Sequence, residues 1–415
     1  MTKDTYEPQN PINFKTILDY DLNQQIVFIR ADMNVPIMDN IISDDTRIKM
    51  CLKTIRYALS KNARVIVATH FGRPQEGVFD SANSVQLIAL HLAKLLNLRK
   101  IPVVKLEDAL SYSDSKDMFN ALDSAIVMLE NVRCNIGEKA NAQSLGIKYA
   151  SLCNIFVHDA FAAAHRAEAS TDAIANFTQI TCAGLLMMDE LNALNHAVLS
   201  PKKPFVAIVG GSKVSTKLAI LQNLITLPNL DYLILGGGIL NTFLLASGYN
   251  IANSLHEADL VTMAQQILSS AAEKSIKILL PEFVVVSNSI ALDTVSKTKH
   301  ITELLPDEAI LDISQEFANK IVEILQISNS IIWNGPLGMF EHPQFQNGTK
   351  IVACGIANSN AYSLAGGGDT IAAINKFGIA DNISYISTAG GALLEFLGGL
   401  KLPAIELLQK YVYRN

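Results

Sequence analysis

The sequence predicts an α/β protein made of two doubly wound parallel-sheet domains. Three observations carry that prediction. Short, near-continuous apolar runs alternate with stretches whose apolar residues recur at three and four positions, as on one face of a helix. Such strands imply a parallel sheet covered by helices on both faces. The runs are also too many for one sheet of ordinary size, and 415 residues with 49% hydrophobic content exceed one ordinary core.

In chain order, the first half places strands at 26–29, 65–68, 101–104, 125–129 and 155–157. The second half places them at 205–209, 232–235, 278–280, 283–286, 331–333, 361–365 and 383–386. Between them, SVQLIALHLAKLLNL and ADLVTMAQQILSSAAEK carry the helical period. The polar segment HAVLSPKKPF, with its two prolines, follows the helical stretch LLMMDELNALNHAVL and marks the domain boundary.

Composition excludes several classes. Charged residues make up 17% and the net charge is -6, so no cation surplus exists to coat nucleic acid. The five cysteines are scattered and odd in number, which argues for buried thiols rather than disulfides or a zinc site. The opening MTKDTYEPQNPINFK lacks the apolar stretch of a signal peptide. No window approaches the roughly 20 apolar residues of a membrane helix. A cytoplasmic protein is expected.

In open parallel sheets, ligands bind beyond the carboxyl ends of the strands. In the first half those ends are charged: Arg30, Asp32 and Asn34 in IRADMNVP, with Arg47 shortly after, then His70 and Arg73 in ATHFGRP, Arg133 in LENVR, and Arg166 after HDAFAAAH. Arginines gathered on one rim repel one another unless an anion lies between them, and the guanidinium forks onto phosphate or carboxylate oxygens. In the second half the ends are glycine-rich: VGGSKVSTK, LGGGILN, NGPLG, AGGGDT and TAGGA. Glycines let backbone N–H groups approach a ligand, and a helix opening at Asp369–Thr370 favours phosphate at its N-terminus. Neither a P-loop nor a dinucleotide fingerprint is present. The residues alone thus indicate one domain for a small polyanion and one for a phosphate-rich ligand such as a nucleotide.

The strings IRADMNVP, THFGRP, LENVRCNIGEK, DAFAAAHRA, VGGSKVSTK, LGGGILNTFL, WNGPLGMFE, GGGDT and STAGGA occur in this order. That series resembles the phosphoglycerate kinase family from about residue 26 to about 400. The resemblance implies a 3-phosphoglycerate-binding domain at 1–189, onto which a tail at 403–415 packs back. A nucleotide-binding domain at 190–402 would include a hinge helix near 186–200 that lets the domains close. It implies a substrate site of Asp32, Asn34, Arg47, His70, Arg73, Arg133 and Arg166. Around the nucleotide and the transferred phosphoryl group it implies Lys213, Lys217, Gly236, Gly237, Gly238, Asn334, Glu341, Gly367, Gly368, Asp369 and Thr370, with Asp369 on Mg²⁺. Arg47 and Lys213 are the candidate catalytic residues. The substrates implied are 3-phosphoglycerate or 1,3-bisphosphoglycerate and ATP or ADP, handled by a monomer without nucleic-acid or membrane partners.

Departures from the family pattern fall at EAILDISQ, where Ile310, Ser314 and Gln315 replace Gly, Gly and Pro beside the adenine, and at Ala389, Glu168 and Glu282-Phe283. They leave the arginine set and Lys213 intact and read as drift. A nicotinamide-dependent dehydrogenase is disfavoured by the missing fingerprint. The second reading, a nucleotide-binding scaffold that has lost catalysis, draws only on the EAILDISQ change.

Overall fold

The structure, a computed structural model, describes residues 12–227, 229–291 and 294–412. The chain divides into two compact units, one holding Ile12–Asn192 and the residues from Lys401 on, the other Ala193–Leu400. Each carries one six-stranded sheet.

In the first unit the strands lie in the order Val103–Val104, Ile126–Leu129, Arg64–Ala68, Ile26–Ala31, Ile155–Asp159, Ile180–Ala183. Every pairing is parallel, with Val27 facing both Val65 and Ile155. Side chains alternate between faces with period two. Val27, Ile29, Val65 and Val67 therefore join Ile48, Ile55, Ile88 and Leu92 in one core, while Phe28 and Ile66 join Phe119 and Tyr149 in the other. The helix Thr46–Ser60 forms because Ile48, Cys51, Leu52, Ile55 and Ala58 recur on one buried face. The C-terminal helix Pro403–Tyr411 adds Leu407 and Tyr411 to the second core.

The second unit orders its parallel strands Lys277–Leu279, Tyr232–Leu235, Phe205–Val209, Ser330–Asn334, Tyr362–Gly366, Tyr385–Ser387. In both sheets the first strand of the unit sits centrally and the chain later returns to its other side. The reversal falls between Ile26–Ala31 and Ile155–Asp159 in one, and between Phe205–Val209 and Ser330–Asn334 in the other. These are the topological switch points at which open α/β sheets leave a crevice.

Two expectations need correction. The run at 283–286 does not join the parallel sheet. As Phe283–Ser287 it is the middle strand of a three-stranded antiparallel sheet with Lys297–His300 and Ala309–Ile313. Its β-branched run is indistinguishable from a fully buried parallel strand by pattern alone, yet Phe283 and Val285 remain part-exposed. The strand Ile180–Ala183, absent from the sequence reading, completes the first sheet. The helix Leu185–Leu194 passes into a π-turn at Asn195–Leu199. The five cysteines are free, three of them buried. Among the described residues no helix is long and apolar enough to cross a membrane.

Candidate active site

At the switch point of the first sheet, Ile26–Ala31 delivers Arg30 fully buried, with Asp32 just beyond it. Arg47, about a third exposed in the first turn of its helix, donates through Nη1 to Asp32 Oδ2 at 2.9 Å and to the Asn34 carbonyl at 3.3 Å. Asn34 Oδ1 accepts from the Gly72 amide at 3.1 Å, which ties this loop to the one after Arg64–Ala68. Arg133 Nη1 donates to the Gly72 carbonyl at 3.2 Å, and its Nη2 to Glu168 Oε1 at 3.2 Å. Arg166 Nε donates to His165 Nε2 at 3.0 Å.

His70 is buried within reach of the charge of these arginines. Its pKa is driven far below the ordinary imidazole value, first by burial and then by Arg30, Arg133, Arg166 and Arg47. The ring is therefore neutral at physiological pH. Its Nδ1 lies 3.4 Å from Arg30 Nη2. A guanidinium can only donate, so Nδ1 accepts and the proton sits on Nε2. Burial also lowers the Arg166 pKa, with the neighbouring Arg133 adding to the effect. The structure thus brings together Asp32, Asn34, Arg47, His70, Arg133 and Arg166, while Arg73 is exposed on the loop after His70. Arg30 and Glu168 belong to the same cluster. Their signal was Arg30 at a strand end and a lone acid beside Arg166, and only the fold tells which neighbours each one meets.

In the second unit the switch strands end in backbone rather than charge. Lys217 Nζ donates to the Gly210 carbonyl at 2.8 Å and the Asn334 carbonyl at 2.9 Å, clasping both strand ends. Burial pushes its pKa down to about 8, partly offset by Asp369. Asn334 Nδ2 donates to the Gly366 carbonyl at 2.6 Å, and the Gly335 amide donates to Thr370 Oγ1 at 2.7 Å. Trp333, buried, donates from its indole to the Gly335 carbonyl at 2.9 Å, a packing and loop-holding role. Gly367 has φ +99°, which a side chain rarely adopts, and it turns the chain into the helix Gly368–Phe377 with Asp369 exposed in the first turn.

Beside this floor opens a cleft of about 390 Å³, lined among others by Gly237, Gly238, Glu341 and Asp369, with Asn241, Leu255, Ile310 and Met339 as further walls. Its size suits a nucleoside-sized ligand. Gly238 is required by close approach, since a Cβ there would lie 2.2 Å from the Ser212 carbonyl oxygen. Lys213 is exposed on the Gly211–Lys217 loop, which Glu257 anchors by accepting from the Ser215 amide at 2.8 Å; hydrogen bonds from Ser215 lower the Glu257 pKa, with Lys213 adding a smaller contribution. Gly236, Asn334, Thr370 and Lys217 form the support beneath the cleft, not its walls. The EAILDISQ departures separate: Ile310 is a wall of the cleft. Ser314 instead caps the helix Gln315–Ile327, its Oγ accepting from the Phe317 amide at 3.1 Å.

The chain as a whole has counterparts among known proteins. The phosphoglycerate kinase family model matches residues 17–400. The chain is 47% identical over 403 residues to a phosphoglycerate kinase of Francisella tularensis subsp. novicida, covering 97% of this chain and 100% of that one. A phosphoglycerate kinase of Francisella philomiragia is also 47% identical, with 96% and 99% covered. Among solved structures, phosphoglycerate kinase from Coxiella burnetii superposes with a TM-score of 0.90 at 42% identity over 96% of this chain and 99% of that one. The Pyrococcus horikoshii enzyme gives 0.78 at 31% identity, with 97% and 100% covered. The chain therefore belongs to the phosphoglycerate kinase family.

Proposed function

We propose that this chain catalyses reversible phosphoryl transfer between 1,3-bisphosphoglycerate with ADP and 3-phosphoglycerate with ATP, the glycolytic reaction of its family. The observation that carries the site reading is the ring of Arg47, Arg133 and Arg166 around a neutral His70 at a switch point. Such a ring suits the phosphate and carboxyl groups of 3-phosphoglycerate. The glycine-rich cleft of the other unit takes the nucleotide, with amides near its di- or triphosphate and Asp369 at a helix N-terminus.

The acceptor carboxylate is already ionised at pH 7, so no general base is needed. What the protein supplies is positioning and positive charge on the phosphoryl group in flight. Arg47, partly exposed at its rim, and Lys213, exposed on its loop, supply that charge from the two units. Each ligand belongs to a different unit, so transfer requires the units to close, with the Leu185–Leu194 helix as hinge. Mg²⁺ fits the second site in a limited way. Among the described residues there is no cluster of three or more acidic, His or Cys ligands. A Mg²⁺ ion held by one carboxylate and by nucleotide phosphates needs no such cluster. Asp369 would hold it, and the ion would neutralise phosphate charge. A monomer working in the cytoplasm on small molecules completes the reading.

The test is ADP formation from ATP and 3-phosphoglycerate with Mg²⁺, coupled to a dehydrogenase. The wild type is expected to turn over, and Arg47→Ala and Lys213→Ala to lose about 10²–10³-fold, as for other charge-stabilising donors. Nucleotide binding without turnover would favour the scaffold reading, which draws on Ile310 in the cleft wall.

A further inference from the structure

Glu168 stands out in the arginine ring because it carries the wrong sign for a site that receives anions. It is 6% exposed and Arg133 is 7% exposed, so the pair is largely out of water. The Glu168 backbone is fixed: its amide donates to Thr171 Oγ1 at 3.0 Å, and its carbonyl accepts from the Asp172 amide at 2.8 Å. Only the side chain is left to move.

The contact with Arg133 is half made. A guanidinium edge and a carboxylate pair best through two parallel bonds of about 2.7–2.9 Å. Here one bond joins Arg133 Nη2 to Glu168 Oε1 at 3.2 Å. Arg133 Nε and Glu168 Oε2 are both buried, and neither has a partner among the described residues. A buried N–H of a charged group without a partner is costly, so the open Nε is a donor awaiting an acceptor. The charge of Glu168 also reaches Arg166, whose cationic form it favours. Of the other acids in the ring, Asp32 is already engaged by Arg47. Glu138 lies behind Arg30, bonded to Ser170, its carboxyl pushed up to about 7 by burial.

We propose that Glu168 is a resident anion of the substrate rim. It neutralises Arg133 in the empty site and must yield that guanidinium when an anionic group of the substrate docks, so it sets the affinity of the site by competing with its ligand. This rests on the reading of the rim as the 3-phosphoglycerate site. Without Glu168 the rim holds a larger uncompensated positive charge and binds anions more tightly. With it, substrate binds more weakly and the rim does not retain free sulfate or phosphate.

The experiment is titration calorimetry of the full-length protein with 3-phosphoglycerate, inorganic sulfate and ADP. It compares the wild type, Glu168→Gln and Glu168→Asp. The Gln variant keeps size and an acceptor oxygen but removes the charge, and is expected to bind 3-phosphoglycerate and sulfate about tenfold more tightly. The Asp variant, which keeps the charge, should stay within about threefold of wild type, and ADP binding should be unchanged in all three. Unchanged or weaker anion binding by the Gln variant overturns the inference alone. Failure of all three proteins to bind 3-phosphoglycerate, with ADP still bound, overturns the site reading and this inference with it. A crystal structure of the wild type with 3-phosphoglycerate covers the case in which the Gln variant does not fold. There the Glu168 carboxylate should have left Arg133, and a contact still present in that complex overturns the proposal.

Discussion

In the function proposed above, the two switch points serve one task, the capture of a phosphorylated ligand, with opposite materials. The first builds its rim from side-chain charge: Arg30, Arg47, Arg133 and Arg166 surround His70, and Asp32 and Glu168 hold part of that charge in check. The second builds its cleft from backbone, with glycines that let strand ends and loops come into contact and one lysine clasping two carbonyls. The difference teaches that charge is useful where the ligand is small and carries its oxygens at its ends, because a guanidinium reaches and forks. Backbone amides serve a longer phosphate chain that must be approached along its length.

The largest effect that sharpens this contrast comes from giving the backbone cleft a side chain. In Gly238→Val the new Cβ would meet the Ser212 carbonyl oxygen at 2.2 Å. Such overpacking costs about 1–3 kcal/mol or more, so ADP affinity should fall by about 10²-fold while 3-phosphoglycerate binding stays within about twofold. A parallel loss of both ligands would mean that the two sites are not independent.

A medium effect comes from pH. Lys217 is held at about 8 by burial, so it loses its charge as pH rises through that value. Phosphate favours the charged form, and ADP affinity should therefore fall about tenfold between pH 7 and pH 9. Lys217→Met should bind weakly without that dependence. A matching fall for 3-phosphoglycerate over the same range would break the contrast.

The smallest effect concerns a device that the two units share. Asp159 accepts from the Leu186 and Met187 amides, and Asp312 from the Gly348 amide, each buried behind a helix N-terminus. Burial pushes both carboxyls up to about 7 from 3.8. A raised carboxyl pKa means that the folded state holds its proton where the unfolded state has lost it. Stability therefore falls as pH rises from about 4 to about 7 and is flat above. Asp159→Asn and Asp312→Asn should each flatten this slope. The melting temperature relative to wild type should shift upward by roughly 2–4 °C per kcal/mol between pH 5 and pH 8. A response in only one variant would show that the two caps are not equivalent.

Much of this was legible in the sequence because it depends on local pattern. Apolar runs gave most of the strands, and residues just past them gave Asp32, Asn34, Arg47, His70, Arg133 and Arg166. The run at 283–286 misled because β-branched content does not encode whether the partner strand is parallel. Ile180–Ala183 was too mixed to stand out, with Thr181 and Cys182 between Ile180 and Ala183.

By itself, then, the sequence determined the α/β class, the two contrasting kinds of strand end and the family, since each is written in periodicity or in contiguous motifs. Only the tertiary structure decided that Arg30 makes His70 an acceptor at Nδ1, that Lys217 clasps two strand ends, that Ile310 walls a cleft while Ser314 caps a helix, and that Glu168 meets Arg133. Among these contacts, Arg133–Glu168, Arg30–His70 and Lys217–Asn334 join residues 35, 40 and 117 positions apart. No local pattern specifies such pairs, because the sheet order that brings them together is set by packing across the whole unit.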